Sequence, residues 1–238
     1  MAVSLCAAEA LRINGITATA AAGHSLGEYA AMVYTGMVSR TDGFKLIKAR
    51  SLAMQKAAEN SSGAMFAIIG STPADIEKVC AETEGYVVPV NYNSSVQTVI
   101  AGEEAAAQAA ADTLAAAGAR AIRLNVAAAF HSKLMQGAAD EFKPAAEQIS
   151  FKTPEITMLS NISGTVLDSI DNMPERLALH IVSPVKFTSE LAYLSENGYD
   201  TFIECGPGKV LTGLVKKTLK GVNAMNVQDA DTLAKVIG

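Results

Sequence analysis

Apolar positions follow two rhythms along this chain. Between residues 63 and 126, short apolar runs alternate with helix-period stretches. Residues 64–69 read as a strand, and 73–82 as a helix behind the Ser71-Thr72 cap. Residues 86–92 and 98–101 read as strands, 103–117 as a helix closed by Gly118, and 120–126 as a strand. On the N-terminal side, residues 3–13 form a helix that stops before Gly15. Residues 17–22 are a small-residue strand, assigned chiefly from the glycine-flanked turn that comes after it. That sharp turn, at 23–27, leads into a helix over 26–34, and a second helix covers 41–60 with Thr41 as its N-cap. Beyond 126 come a loop, a helix over 133–148, and a short strand over 156–159 behind Pro154. Helices over 174–182 and 187–197 come next, then a strand over 201–205, the Gly206-Pro207-Gly208 turn, a helix over 209–220, a strand over 223–227 and a helix over 230–237.

This alternation predicts an α/β protein. The order β-α-β-β-α-β within 63–126 is that of a ferredoxin-like unit, small enough to be inserted into a larger α/β domain. Composition narrows the class. Half of the residues are hydrophobic and 18% are charged, so the chain has a core to bury and is not disordered. Its 19 basic against 24 acidic residues give a net charge of -5, which argues against a nucleic-acid binder. No apolar run reaches the ~18 residues of a membrane span. The first residues carry Glu9 and no basic region, unlike a signal peptide. Cys6, Cys80 and Cys205 are scattered, without metal-ligand spacing. Reduced thiols, no metal site and a cytoplasmic location are expected.

Gly23-His24-Ser25-Leu26-Gly27 matches G-x-S-x-G between a strand and a helix, where that motif lifts a serine Oγ clear of the backbone. The flanking glycines are expected because the turn is too tight for side chains, and the Leu26 N–H at the helix start suits an oxyanion. The bland alternative is a strand-to-helix turn with a serine cap. Of the three histidines, His24 neighbours the serine, where adjacent side chains diverge; it is a pocket-lining residue rather than a base. His180 lies late in a helix among apolar neighbours, as a packed or helix-terminal histidine does. His131 follows the apolar run 127–130 at a strand exit and is the expected general base for Ser25. No acid sits clearly at a strand end, so Asn161, after the strand 156–159, is the better-placed polar orienter. In the helix 41–60, Arg50 has Leu46, Ile47, Ala53 and Met54 as its i±3 and i±4 neighbours, so it projects from the apolar stripe. Such a guanidinium needs an anion, either an internal carboxylate or a substrate carboxylate gripped through two parallel hydrogen bonds.

Together with these segments, Glu28-Tyr29, Ala49-Arg50, Met54-Gln55, Phe130-His131-Ser132, Leu134-Met135, Ser160-Asn161, Ser183-Pro184-Val185 and Glu204-Cys205-Gly206-Pro207-Gly208-Lys209-Val210-Leu211 stand in a telling order. In that order and spacing the chain resembles the malonyl-CoA:acyl-carrier-protein transacylase family of fatty acid synthesis, along essentially its whole length. The resemblance implies an α/β-hydrolase-like core with a parallel sheet, formed by 1–62 and 127–238, and a ferredoxin-like subdomain at 63–126. It implies that Ser25 is acylated, that His131 is its base, and that Arg50 pairs the free malonyl carboxylate. Phe130 resembles the malonyl-selecting form of its motif, and Asn161 matches a polar residue near the histidine. His180 occupies the position whose backbone carbonyl supports that histidine. Malonyl-CoA and acyl carrier protein are the implied partners; coenzyme A enters as a substrate thioester, with no resident cofactor. The Gly206-Pro207-Gly208 turn is a possible cradle for a coenzyme A phosphate, though such turns more often only link strand to helix.

Members of that family begin with a strand ending in a Gly-Gln-Gly-Ser-Gln turn, which this sequence does not match. The expectation is a chain lacking the family's N-terminal segment, and with it a second oxyanion donor, whose loss typically costs ~10²–10³ in turnover. Two other readings stand beside transfer. One is a serine hydrolase or thioesterase of the same fold, against which Arg50 and the missing strand-end acid speak. The other is a truncated, non-catalytic remnant that binds a carrier or synthase partner, against which the intact Ser25, Arg50 and His131 speak.

Overall fold

Helices and strands alternate throughout the computed structural model, which describes residues 1–59, 62–126 and 128–238. In chain order they are α1 (Ala2–Ile13), β1 (Ala20–Ala21), α2 (Leu26–Tyr34), α3 (Arg40–Glu59), β2 (Gly63–Ile69), α4 (Pro73–Glu82), β3 (Val87–Ser94), β4 (Gln97–Glu103), α5 (Glu104–Ala116) and β5 (Arg120–Arg123). A 3₁₀ turn at Lys133–Met135 leads into α6 (Gln136–Ala146), followed by β6 (Thr157–Ser160), β7 (Thr165–Val166), α7 (Met173–Val182), α8 (Phe187–Glu196), β8 (Thr201–Cys205), α9 (Val210–Thr218), β9 (Asn223–Val227) and α10 (Ala230–Ile237). This is an α/β fold with mixed sheets. Among the described residues, no helix is long and apolar enough to cross a membrane.

Several boundaries depart from the sequence expectation, each for a local reason. The strand expected over 17–22 shrinks to two residues, the only ones in ladder with β6. The helix expected from Thr41 begins one residue earlier, because Ser39 accepts the Asp42 N–H at 3.0 Å and does the capping. Asn60, the expected end of that helix, lies outside the described residues, as does Ala127 of the run before His131. The helix expected from residue 133 opens as a tighter 3₁₀ turn, set by the Ser132 side chain accepting the Leu134 N–H at 3.3 Å. Strand β7 is absent from the sequence expectation; two residues give no alternation to read.

Contacts divide the chain into two compact units. The first comprises residues 1–44, 150–170 and 188–238. It holds the β1-β6-β7 sheet, with β1 parallel to β6 and β7 antiparallel, and the parallel pair β8-β9. Ala7 and Leu11 of α1 pack on Val227, with Ile203 and Leu233 around them.

The second unit comprises residues 45–149 and 171–187. Its four-stranded sheet runs β3-β4-β2-β5, antiparallel at every junction. One face packs Phe66, Ile68 and Ile100 against the alanines of α5 and Ile76 of α4. The other face packs Met65, Ala67, Val99 and Ala101 against Ala129, with Phe130 and Leu134 alongside. Alternation along β2 and β4 thus fills two layers, which is why period two dominates this stretch.

Candidate active site

In the first unit, the parallel pairing of Ala20 with Thr157 and Ala21 with Met158 brings the ends of β1 and β6 side by side. Ser25 and Asn161 emerge from those carboxyl ends, the usual place for functional groups in α/β sheets. Ser25 stands before α2 with φ 52° and ψ -109°. A backbone there costs of order 1–3 kcal/mol and persists only where its surroundings fix it. Asn161 supplies that fixation. Its Oδ1 accepts the Ser25 N–H at 2.7 Å, and its Nδ2 donates to the Gly23 carbonyl at 2.6 Å. The side chain therefore brackets His24 from both sides. Nδ2 also donates to Glu190 Oε1 at 2.6 Å, and the Asn161 N–H donates to Glu28 Oε2 at 3.0 Å.

The two glycines of the motif differ in what they do. A Cβ on Gly23 would lie 2.1 Å from the Gly27 carbonyl carbon, so the turn closes only with glycine there. A Cβ on Gly27 would meet nothing within 4 Å, which corrects the expectation that both glycines are demanded by crowding. The Gly27 and Glu28 N–H groups turn back onto the His24 and Ser25 carbonyls at 2.9 and 3.1 Å. Leu26 opens the helix, where first-turn amides have no intrahelical acceptor. Ser25 and His24 are half-buried.

In the second unit, His131 is 4% exposed and holds φ 61°. With Ser25 and Asn172 it makes up the non-glycine residues of positive φ among those described, so both candidate reacting residues sit in unusual backbone. Its Nδ1 lies 3.1 Å from the His180 carbonyl oxygen and 3.1 Å from that of Ser183. Carbonyls only accept, so Nδ1 carries the proton and the lone pair of a neutral ring is on Nε2. The fold holds both carbonyls in place. His180 and Ser183 close α7, and the chain beyond them pairs with β3: Val185 N–H donates to Val90 at 2.8 Å, and Tyr92 N–H to Val185 at 2.9 Å. Gly63 lets β2 run against the backbone before His131, since a Cβ there would fall 2.7 Å from the Ala129 nitrogen. The Ser132 hydroxyl donates to the Ala129 carbonyl at 2.7 Å and closes the loop. The rings of His131 and His180 lie 5.5 Å apart, tilted by 57°.

Arg50 is 4% exposed, in a buried stripe of α3 with Leu46 and Ala53. Phe130 is half-buried and packs on the sheet face that carries Met65 and Val99. The structure thus brings Ser25, Leu26 and Asn161 together in one unit, and His131 and His180 in the other, with Phe130 and Arg50. Three contributors escaped the sequence reading: Glu28, Glu190 and the Ser183 carbonyl. Glu190 carried a usable signal, because Phe187, Leu191 and Leu194 flank it on one buried face, as apolar residues flank Arg50.

At the Gly206-Pro207-Gly208 turn, three of the amides that a phosphate cradle would use are already taken. Glu204 takes the Leu211 and Thr212 N–H groups at 3.1 and 2.7 Å, and the Gln228 side chain takes the Gly208 N–H at 2.7 Å. These three amides thus have anionic or polar acceptors within the protein. Burial and then the Glu204 charge push the Cys205 thiol up to about 11, so it is no thiolate at neutral pH. Among the described residues, no group of three or more His, Cys, Asp or Glu side chains is arranged to hold a metal.

Comparison with known proteins covers the same length. A family model described as the acyl transferase domain matches residues 1–237. The malonyl CoA-acyl carrier protein transacylase of Escherichia coli (strain K12) is 38% identical over 219 residues, which is 91% of this chain and 71% of that protein. The solved malonyl CoA-acyl carrier protein transacylase from Clostridium perfringens Atcc 13124 superposes with a TM-score of 0.95 at 36% identity, over 98% of this chain and 75% of that one. A malonyl-transacylase solved in complex with a type II PKS acyl-carrier protein matches with a TM-score of 0.93 at 35% identity, over 99% of this chain and 78% of that one.

Proposed function

We propose the function of this chain from one premise: it belongs to the acyl transferase domain family. It is an acyltransferase that moves a malonyl group from coenzyme A to the phosphopantetheine thiol of acyl carrier protein, in fatty acid synthesis. The observation that carries this reading is the nucleophile turn. Ser25, at φ 52°, stands immediately before α2 within a chain that the family model matches over residues 1–237.

Each step uses a named group. Ser25 Oγ attacks the thioester carbonyl while His131 Nε2 takes its proton. The Leu26 N–H receives the oxyanion. Collapse breaks the C–S bond, and coenzyme A leaves with the proton from His131. The carrier thiol then gives its proton to His131 and attacks the seryl ester; the C–O bond breaks and Ser25 recovers its proton. The His180 and Ser183 carbonyls face the ring in both halves and keep its Nε2 as the base. Arg50 pairs the malonyl carboxylate, a contact that an acetyl group does not offer. Phe130 and His24 line the acyl site. For Asn161, whose hydrogen bonds run to Gly23 and Ser25, the supported part is to hold the turn. No resident cofactor enters the scheme, and the cytoplasm suits its three free thiols.

We read residues 1–62 and 127–238 as an α/β-hydrolase-like core and 63–126 as an inserted ferredoxin-like subdomain. The strand order β3-β4-β2-β5, with α4 and α5 on one face, supports the second assignment.

The test is the intact mass of the protein after brief incubation with malonyl-CoA. One malonyl adduct is expected in the wild type and none in Ser25→Ala. An adduct that persists in Ser25→Ala overturns the assignment. Free malonate as the main product in the presence of carrier protein would make the chain a hydrolase.

A further inference from the structure

We propose that Glu190 is a positioning residue for acyl transfer at Ser25: it fixes the Asn161 side chain in the one orientation that brackets the nucleophile turn. The proposal rests on the reading of Ser25 as the nucleophile.

Asn161 is fully buried, and its amide can point only one way. Oδ1 must face the Ser25 N–H, which donates at 2.7 Å. Nδ2 has two hydrogens and two acceptors, the Gly23 carbonyl and Glu190 Oε1, each at 2.6 Å. Turned over, the amide would set its nitrogen against an N–H and its oxygen against a carbonyl and a carboxyl. Gly23 and Glu190 together therefore choose the orientation, and the orientation supports Ser25 in its positive-φ conformation. Asn161 follows β6 and Glu190 lies in the first turn of α8, so the clamp draws a third chain segment onto the turn.

The chemistry of the acceptor is unusual. Glu190 is 0% exposed, and Glu28, 3% exposed, takes the Asn161 backbone N–H at 3.0 Å. Two buried carboxyls thus meet at one asparagine. Burial raises the Glu190 carboxyl well above the usual carboxylate range, the bond from Asn161 offsets part of this, and the Glu28 charge adds to the rise. Glu190 accepts from Asn161 at Oε1. Among the described residues, Oε2 has no hydrogen-bond partner. Glutamine reproduces this arrangement, with Oε1 still the acceptor; methionine fills a similar volume without it.

Two variants, Glu190→Met and Glu190→Gln, test the idea. In Glu190→Met, kcat for malonyl transfer is expected to fall about 10–100-fold with little change in KM for malonyl-CoA, as misplacement of a reacting group does. Glu190→Gln is expected to recover most of that loss. The Ser25 amide resonance should move in Glu190→Met and stay near its wild-type position in Glu190→Gln. An unchanged kcat and resonance in Glu190→Met, or an equal loss in both variants, overturns the proposal. The resonance also separates this proposal from the functional reading, since it reports on the turn whether or not Ser25 is acylated. Should Glu190→Met not fold, the Asn161 side-chain amide protons decide, read by NMR in wild type and Glu190→Gln. Two distinct Nδ2 protons protected from exchange, one of which shifts in Glu190→Gln, support the clamp; rapidly exchanging protons, or two that both stay in place in Glu190→Gln, overturn it.

Discussion

Arg50 and Glu190 share a position that a helix normally gives to leucine. Both are buried in apolar stripes, at 4% and 0% exposure, and a buried charge persists only with compensation or neutralisation. They resolve the problem in opposite ways. A guanidinium cannot be deprotonated in a protein, so Arg50 keeps its charge and must answer to an anion. Charge-assisted hydrogen bonds contribute about 1.5–3 kcal/mol, which corresponds to roughly 10–150-fold. Arg50→Met should therefore lower kcat/KM for malonyl-CoA by about that factor while leaving acetyl-CoA turnover unchanged or raised. Equal loss for both thioesters would make Arg50 a structural residue only. Glu190, in contrast, is pushed toward its neutral form by burial. Its folded pKa is raised above the ordinary value of 4.5, so its stabilising contribution is complete below that pH and is lost as pH climbs toward the folded value. Glu190→Gln cannot ionise. The Tm difference, variant minus wild type, should grow as pH rises above 4.5, with Glu28 the carboxylate that faces Glu190. A difference that stays flat with pH would mean that Glu190 ionises normally in the folded protein. Arg50 is legible in the sequence from its apolar i±3 and i±4 neighbours. Glu190 carries the same signature, but glutamate decorates most helix surfaces, so its residue type hides its burial. The carbonyls that hold His131 have no side-chain signature, so only the fold shows that both His180 and Ser183 supply them.

At the level of elements, local rules read well wherever a side chain enforces them. Thr72 accepts the Asp75 N–H at 3.2 Å and starts α4 where the sequence places it. Strands β8 and β9 and helix α10 match their expected bounds, because turn residues or a capping box fence them. Tertiary pairing alone defines β1, which extends only as far as its ladder with β6 and leaves no local signal of its bounds. At the nucleophile turn the two glycines of the motif differ, since only Gly23 is crowded. Gly23→Ala should abolish seryl acylation, since its Cβ would overlap the Gly27 backbone at 2.1 Å, and no flexible side chain can yield there. Gly27→Ala meets open space, and alanine is a better helix former than glycine by about 0.8–1 kcal/mol in a helix interior. Its Tm should equal or exceed that of the wild type. A lowered Tm in Gly27→Ala would show that the turn needs both glycines after all. Thr72→Ala gives a scale for comparison, with an expected loss of about 1 kcal/mol from its cap, read from denaturant unfolding.

Over the whole molecule, the two candidate reacting residues are assembled by chains of very different reach. Every ladder of the β3-β4-β2-β5 sheet closes within residues 63–123. The nucleophile turn, in contrast, is held by Asn161 from 136 residues away, and Asn161 in turn by Glu190. The first unit is itself drawn from three stretches of chain, 1–44, 150–170 and 188–238. Long loops add closure entropy only slowly, about 0.6 kcal/mol per doubling, so distance alone does not forbid early assembly. The stronger constraint is reward. A closed sheet repays its loops at once, with a dozen fully or nearly buried apolar side chains on one face. The Ser25 turn brings a strained backbone and two buried carboxyls, so its closure is favourable only once the surrounding elements are in place. Folding should therefore be ordered. In pulsed hydrogen exchange during refolding, amides of 65–69 and 98–101 should gain protection before those of Ser25 and Asn161. Far-UV circular dichroism should recover ahead of the capacity to form a malonyl adduct. Simultaneous protection of both sets would mean that the turn forms with the sheet, and that its strain is offset by contacts made early rather than by the completed fold.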